Sequence, residues 1–207
     1  MIVAVDGPAG SGKGTVTKRI EEELGFLNLD TGATYRCVAL QVLRKGLDLK
    51  NEKDIIEIAN NIDIKTVMDL FKIELKVEDN ETKIYMDGVA LEEEELQSES
   101  SSMAVSEIGG KAKNEALFVF ARNLIDTLKV EHNVIIAGRS IMQIYPKTDY
   151  HFFITASLEE RTKRKSIQYK GEVDIEELKS HIAKRDELQE KAGFYNLCDK
   201  TISVDVT

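Results

Sequence analysis

The chain opens MIVAVDGPAGSGKGTV, an apolar run, a glycine-rich turn and then a lysine at the head of a helical pattern. No other stretch constrains the fold as much. "IVAV" (2–5) is short, apolar and β-branched, the pattern of a buried parallel strand. Gly7, Pro8, Ala9, Gly10, Ser11, Gly12, Lys13, Gly14 and Thr15 follow, fitting G-x-x-x-x-G-K. Such glycines let backbone N–H groups converge on phosphate oxygens, and the helix N-terminus behind them adds partial positive charge. The ammonium of Lys13 would neutralise the outer phosphates of a nucleoside triphosphate. The pattern ordinarily continues with a Ser or Thr that reaches Mg²⁺. Here Gly14 takes that place and Thr15 comes one position late, a departure from the usual direct metal ligand.

The helical pattern from Lys13 to Leu24 stops at Gly25, a residue suited to ending a helix. "FLNLD" (26–30), "NVIIAG" (133–138), "DYHFFIT" (149–155) and "TISVDV" (201–206) read as further strands, and helical patterns lie between them. Strands alternating with helices predict an α/β fold, a three-layer sandwich with a parallel core sheet. The middle of the chain departs from this rhythm. "NIDIKTV" (61–67), "FKIELKVED" (71–79) and "TKIYMDG" (82–88) alternate apolar and polar residues, with turn chemistry at Asp79-Asn80 and Asp87-Gly88. The expectation is a core formed by residues 1–62 and 102–207, a small antiparallel insertion over 63–101, and a short lid at about 158–172.

A chain of 207 residues suits one domain with an insertion. The net charge of −9 argues against non-specific binding to nucleic acid or to an anionic membrane. Small-molecule ligands remain, because a few local arginines outweigh the global sign. Cys37 and Cys198 make neither a disulfide framework nor a metal-ligand spacing, and are expected to be small buried hydrophobes in a reducing compartment. With no long apolar stretch and the first strand starting at residue 2, the reading is a cytoplasmic monomer.

"LDTGATYR" (29–36) sets a Thr-Gly turn at a strand end and at the start of a helix. Thr31 is the expected N-cap, Gly32 permits close backbone approach, and Arg36 lies one turn on. A helix N-terminus with an arginine beside it is a second anion site. Two such sites at neighbouring strand ends suit a phosphate donor and a phosphate-bearing acceptor.

These segments, with "AGRSI", "SLEERTKRK" and "IAKRDE", occur in the order and at close to the spacings of the bacterial cytidylate kinases, a family that the chain resembles over nearly its whole length. The resemblance implies transfer of a phosphoryl group from ATP, with Mg²⁺, to CMP or dCMP. It implies that residues 7–15 hold the donor and that Lys13 binds its phosphates. Thr31, Tyr35 and Arg36 would hold the acceptor, and the insertion would be the monophosphate-binding domain. Arg139 would lie near the phosphates, Arg161 and Arg164 in the lid, and Arg185 on the transferred group. Without the resemblance, the helical arginines read as solvated surface.

The departures from the family gather at the acceptor. Where members usually read DGRD, this chain reads AGRS, so Ala137 and Ser140 replace two carboxylates. By the family pattern the second of these reads the cytosine amino group, a task left here to Ser140. Gln189 and Ala192 stand where an aspartate and an arginine are expected, and a further acceptor arginine falls near Asn114, beside Lys113. The alternative is therefore a nucleotide-binding protein of this fold with altered acceptor choice or lost catalysis.

Overall fold

The structure, a computed structural model, describes residues 1–33, 35–36, 73–78, 81–91, 115–169, 173–191, 193–195 and 197–207. In chain order the elements are β1 (Ile2–Asp6), α1 (Lys13–Leu24), β2 (Leu27–Asp30), β3 (Ile73–Glu78), β4 (Glu81–Met86) and β5 (Val89–Ala90). They continue with α2 (Glu115–Leu128), β6 (Val134–Ala137), α3 (Ile141–Ile144), β7 (Tyr150–Thr155), α4 (Leu158–Gln168), α5 (Ile175–Lys191) and β8 (Thr201–Asp205). They fall into two compact units, one of Met1–Leu24 with Ile135–Thr207 and one of Gly25–Val134.

In the first unit the strands run β6-β1-β7-β8. β1 pairs parallel with β7, Val3 opposite Tyr150 and Asp6 opposite Phe153. β7 pairs parallel with β8, His151 opposite Thr201. Every residue of β1 and β6 is buried, which explains why both lack alternation: a strand covered on both faces has no polar side. β8 lies at the end of the strand order, with Ile202 and Val204 exposed. The sheet is pinned at its lower edge, where Ile2 N–H donates to the Asp149 carboxylate at 2.6 Å and Asp149 N–H donates back to the Ile2 carbonyl at 2.9 Å. α4 starts where Ser157 Oγ accepts from Glu160 N–H, and Glu159 and Glu160 place negative charge at its positive end. Among the described residues, no helix is long and apolar enough to cross a membrane.

In the second unit β2 buries Leu27 and Leu29, and the Leu27 N–H donates to the Asn133 carbonyl at 2.8 Å. β3, β4 and β5 form an antiparallel sheet, Ile73 opposite Met86 and Tyr85 opposite Ala90. Its second hairpin turns on Asp87 (φ 53°) and Gly88 (φ 78°), the paired left-handed residues that a tight two-residue hairpin needs. The sequence pattern missed β5, because two residues are too few to show alternation. The expected strand at 61–67 and the turn at 79–80 lie outside the described residues, as do most of "LEEEELQSESSS" (91–102) and the body of the helix after Arg36. β4 packs against β2 and carries Met86, which is fully buried.

Met86→Ala should therefore cost about 2–5 kcal/mol, the usual range for emptying a filled core position. Urea denaturation checks this. A loss below about 1 kcal/mol would mean that the small sheet does not share the unit's core.

Candidate active site

The glycine-rich turn connects a fully buried strand to an exposed helix start, and its shape depends on two close approaches. Gly7 has φ +150°, and a Cβ there would sit 2.1 Å from the Ile154 carbonyl oxygen. Gly10 has φ +76°, and its Cβ would meet the Arg161 carbonyl at 2.9 Å. No side chain fits either position. Lys13 is the first residue of α1, and its ammonium folds back to donate to the carbonyls of Gly7 (2.7 Å) and Pro8 (2.8 Å). Ser11 is buried, and its hydroxyl is one of the few buried polar atoms without a hydrogen-bond partner among the described residues. An orphaned hydroxyl inside a turn of this composition fits a site for phosphate oxygens.

Both predicted arginines of α4 brace this turn. Arg161 is 7% exposed and makes an ion pair with Asp186 of α5 at 2.6 Å. The same guanidinium donates to the carbonyls of Ala156 (3.0 Å) and Ala9 (3.3 Å). Arg164 donates to Glu160 (2.9 Å), to the Val206 carbonyl (2.7 Å) and, more weakly, to the Ser11 carbonyl (3.4 Å). These two residues are therefore not the solvated surface that the pattern alone predicts: they bond carboxylates on α4 and α5 and the carbonyls of Ala9, Ser11, Ala156 and Val206. Arg185, one residue before Asp186, is exposed.

The turn after β6 carries Arg139 and Ser140. It is held against β1, where Gly138 N–H donates to the Val5 carbonyl at 3.1 Å and Ile141 N–H donates to both carboxylate oxygens of Asp6, at 3.0 and 2.9 Å. Ser140 precedes α3 but does not cap it with its side chain; the Asp6 carboxylate meets the first helical N–H instead. Arg139 is half-buried and Ser140 is 5% exposed. Ala137 ends β6 as a buried methyl group. Gln189 accepts a hydrogen bond from Tyr195, whose phenol burial pushes up to about 12. Ala192, Lys113 and Asn114 lie outside the described residues.

In the second unit the expected N-cap is corrected. Asp30 Oδ1 accepts from Gly32 N–H (2.7 Å) and Ala33 N–H (3.2 Å), so the cap is Asp30, while Thr31 is 4% exposed. Both residue types cap well; the helix begins at Thr31, one residue earlier than the pattern implied. Tyr35 and Arg36 are half-buried, and the Tyr35 hydroxyl has no hydrogen-bond partner among the described residues. Burial raises its pKa, and the charge of Arg122 on α2 works against that rise. Cys198, expected to be buried, is exposed; it sits in the turn before β8.

The donor set does not fit a protein-held Mg²⁺. Gly14 has no hydroxyl, Thr15 is exposed one position later, Ala137 is a methyl group, and both Asp6 oxygens are engaged. Among the described residues, no three His, Cys, Asp or Glu side chains gather where they could hold a metal.

A buried parallel strand, a turn of close-packed glycines and a lysine at the first helical position define the P-loop class of phosphate-binding α/β proteins. The chain belongs to the cytidylate kinase family, whose profile matches residues 3–205. The cytidylate kinase of Alkaliphilus oremlandii is 34% identical to it, over 99% of this chain and 89% of its own. That of Clostridioides difficile is 34% identical, over 100% and 91%. That of Caldanaerobacter subterraneus subsp. tengcongensis is 35% identical, over 99% and 87%.

The Arg161–Asp186 pair was invisible in the sequence and gives a test. Asp186→Ala leaves a buried guanidinium with its other carbonyl bonds but no counter-charge, and should cost about 3 kcal/mol. Thermal unfolding at fixed pH checks it. No loss of stability would mean that the pair does not brace the loop.

Proposed function

We propose that this chain transfers the γ-phosphoryl group of ATP to CMP or dCMP. The observation that supports it most is the phosphate turn itself, braced by Arg161 and Arg164 and topped by the Lys13 ammonium, in a member of the cytidylate kinase family. Residues 7–15 take the triphosphate. Lys13 leaves the carbonyls of Gly7 and Pro8 for phosphate oxygens, exchanging two neutral acceptors for charged ones. Phosphoryl transfer asks little covalent chemistry of a protein; it needs cations around the transferred group and two oxygens in line. Arg139, Arg164 and Arg185 supply that charge, and Arg161 holds the loop that presents the donor. Thr31, Tyr35 and Arg36 hold the acceptor, with Arg36 on its phosphate. The insertion over 63–101 encloses the acceptor, and the lid over 158–172 excludes water. Mg²⁺ comes as the counter-ion of ATP rather than as a protein-held centre.

Ala137, Ser140 and Gln189 favour a second reading of the same site, a monophosphate kinase with relaxed choice of base. A pocket that hydrogen-bonds its base rejects others by about 10⁴-fold, and replacing a carboxylate by a hydroxyl weakens that selection. Ser140 still makes a hydrogen bond but brings no charge.

An ADP-release assay over CMP, dCMP, UMP, AMP and GMP tests both readings. Lys13→Ala should keep the fold and lower turnover by about 10²–10³-fold. Wild-type turnover in that variant would put the phosphate cradle elsewhere. Ser140→Asp should lower the KM for CMP while leaving that for UMP unchanged or higher. If the wild type already prefers CMP by about 10⁴-fold, the relaxed pocket is wrong. If ATP binds and no monophosphate is phosphorylated, the chain is a nucleotide-binding protein.

A further inference from the structure

Asp6 is the last residue of β1, immediately before the phosphate turn, and it is 3% exposed. A buried carboxylate in that position needs partners, and it has two kinds. Its oxygens accept Ile141 N–H at 3.0 and 2.9 Å, and Oδ2 also meets His151 Nε2 at 3.0 Å. His151 is 2% exposed, on β7, and its Nδ1 lies 2.8 Å from Thr201 Oγ1 on β8. Thr201 accepts from Cys198 N–H at 3.0 Å and contacts Cys198 Sγ at 3.4 Å.

We infer that Asp6, oriented by His151, is a positioning residue for phosphoryl transfer: it ties the entry of the phosphate turn to the turn that carries Arg139 and Ser140. The inference rests on the proposed function for the roles of Lys13 and Arg139; the tie itself is geometric. One carboxylate spans the two segments at the α3 cap, where Ser140 makes no cap bond with its side chain; the backbone bond from Gly138 N–H to the Val5 carbonyl ties β1 to the same turn three residues earlier. Rotating that carboxylate would release Ile141 N–H and with it the backbone two residues beyond Arg139. The imidazole prevents the rotation from below.

The arrangement holds in both states of the imidazole. When neutral, Nε2–H donates to Asp6 and Nδ1 accepts from the Thr201 hydroxyl. When protonated, both nitrogens donate, and the hydroxyl turns toward Cys198 Sγ. The groups facing His151 are thus Asp6 from β1, Thr201 from β8 and Cys198 from the turn before it. Burial lowers the pKa of His151, but the hydrogen bond and charge of Asp6, with a smaller contribution from Cys198, raise it further, so it lies above the ordinary histidine value. The pair therefore adds stability that is full below about pH 6.5 and is lost as pH rises through the higher folded value. Above that value the carboxylate keeps a neutral hydrogen bond in place of a charge-assisted one.

The test uses the full chain. In wild type the Ile141 amide proton shift should titrate with a midpoint above about pH 6.5, reporting the imidazole through the shared carboxylate. His151→Gln, whose amide still donates to Asp6, should abolish that titration. It should also remove a decline in kcat of about threefold that accompanies it. Asp6→Asn should lower kcat by about tenfold or more while the KM for ATP stays within about threefold, because Arg139 is misplaced and the donor loop is not. If Asp6→Asn fails to fold, His151→Gln decides. An Ile141 shift indifferent to pH and to His151→Gln overturns the inference, as does a KM effect without a kcat effect. If the wild type phosphorylates no monophosphate, the proposed function fails, and the amide titration still decides whether the tie exists.

Discussion

Two guanidinium groups bonded to the backs of Ala9 and Ser11 are what the rest of the site depends on. A phosphate-binding turn must point its N–H groups inward, which leaves its carbonyls pointing the other way. Water would satisfy them in an exposed loop, at the expense of a defined shape. Here Arg161 and Arg164 satisfy them from α4, and Asp186 of α5 and the Val206 carbonyl fix those arginines in turn. The cradle is thus built before any phosphate arrives, and little ordering is left to be done on binding. Its closeness to α4 and β7 is also why Gly7 and Gly10 have no room for a side chain.

The parts of this architecture that were legible in the sequence are the local ones. β1 and α1 announce themselves by apolar run, glycine spacing and the stop at Gly25, all within a window of neighbouring residues. β3 and β4 show in the alternation of apolar and polar residues along each and in the turn at Asp87-Gly88. What could not be read is set by partners far along the chain. Arg161 reaches Ala9 across 152 positions and Asp6 reaches Ile141 across 135, and no periodicity encodes either. Cys198 was misjudged for a related reason: small thiols are usually buried, but this one precedes a strand at the end of its sheet. The capping of the helix after β2 was missed by one residue, since Asp30 and Thr31 are equally apt and only the first turn of the helix chooses between them.

The donor and acceptor halves of the chain have departed from their family to different degrees. Around the phosphate turn the glycines, the lysine and the arginines are present, with Gly14 as the one departure, and the structure gives most of the charged residues a partner. Around Ala137 and Ser140 the carboxylates are gone, yet the backbone beneath them is held by Asp6. The altered pair of side chains thus sits on backbone that the Asp6 carboxylate holds through Ile141 N–H.

Asp186 and Arg185 are neighbours on α5, and the helix turns by about 100° between them. That single step separates a carboxylate locked into the protein from a cation left in solvent. The locked residue therefore acts as a phase marker for its exposed neighbour: it sets the rotational angle at which the cation emerges. Inserting or deleting one residue between Asp174, which bonds the first turn of the helix, and Arg185 would keep the helix and both side chains but lose the phase. If the Asp186 contact survived, the cation would keep its bearing; if the Asp174 cap survived instead, the cation would swing round the helix by about 100°.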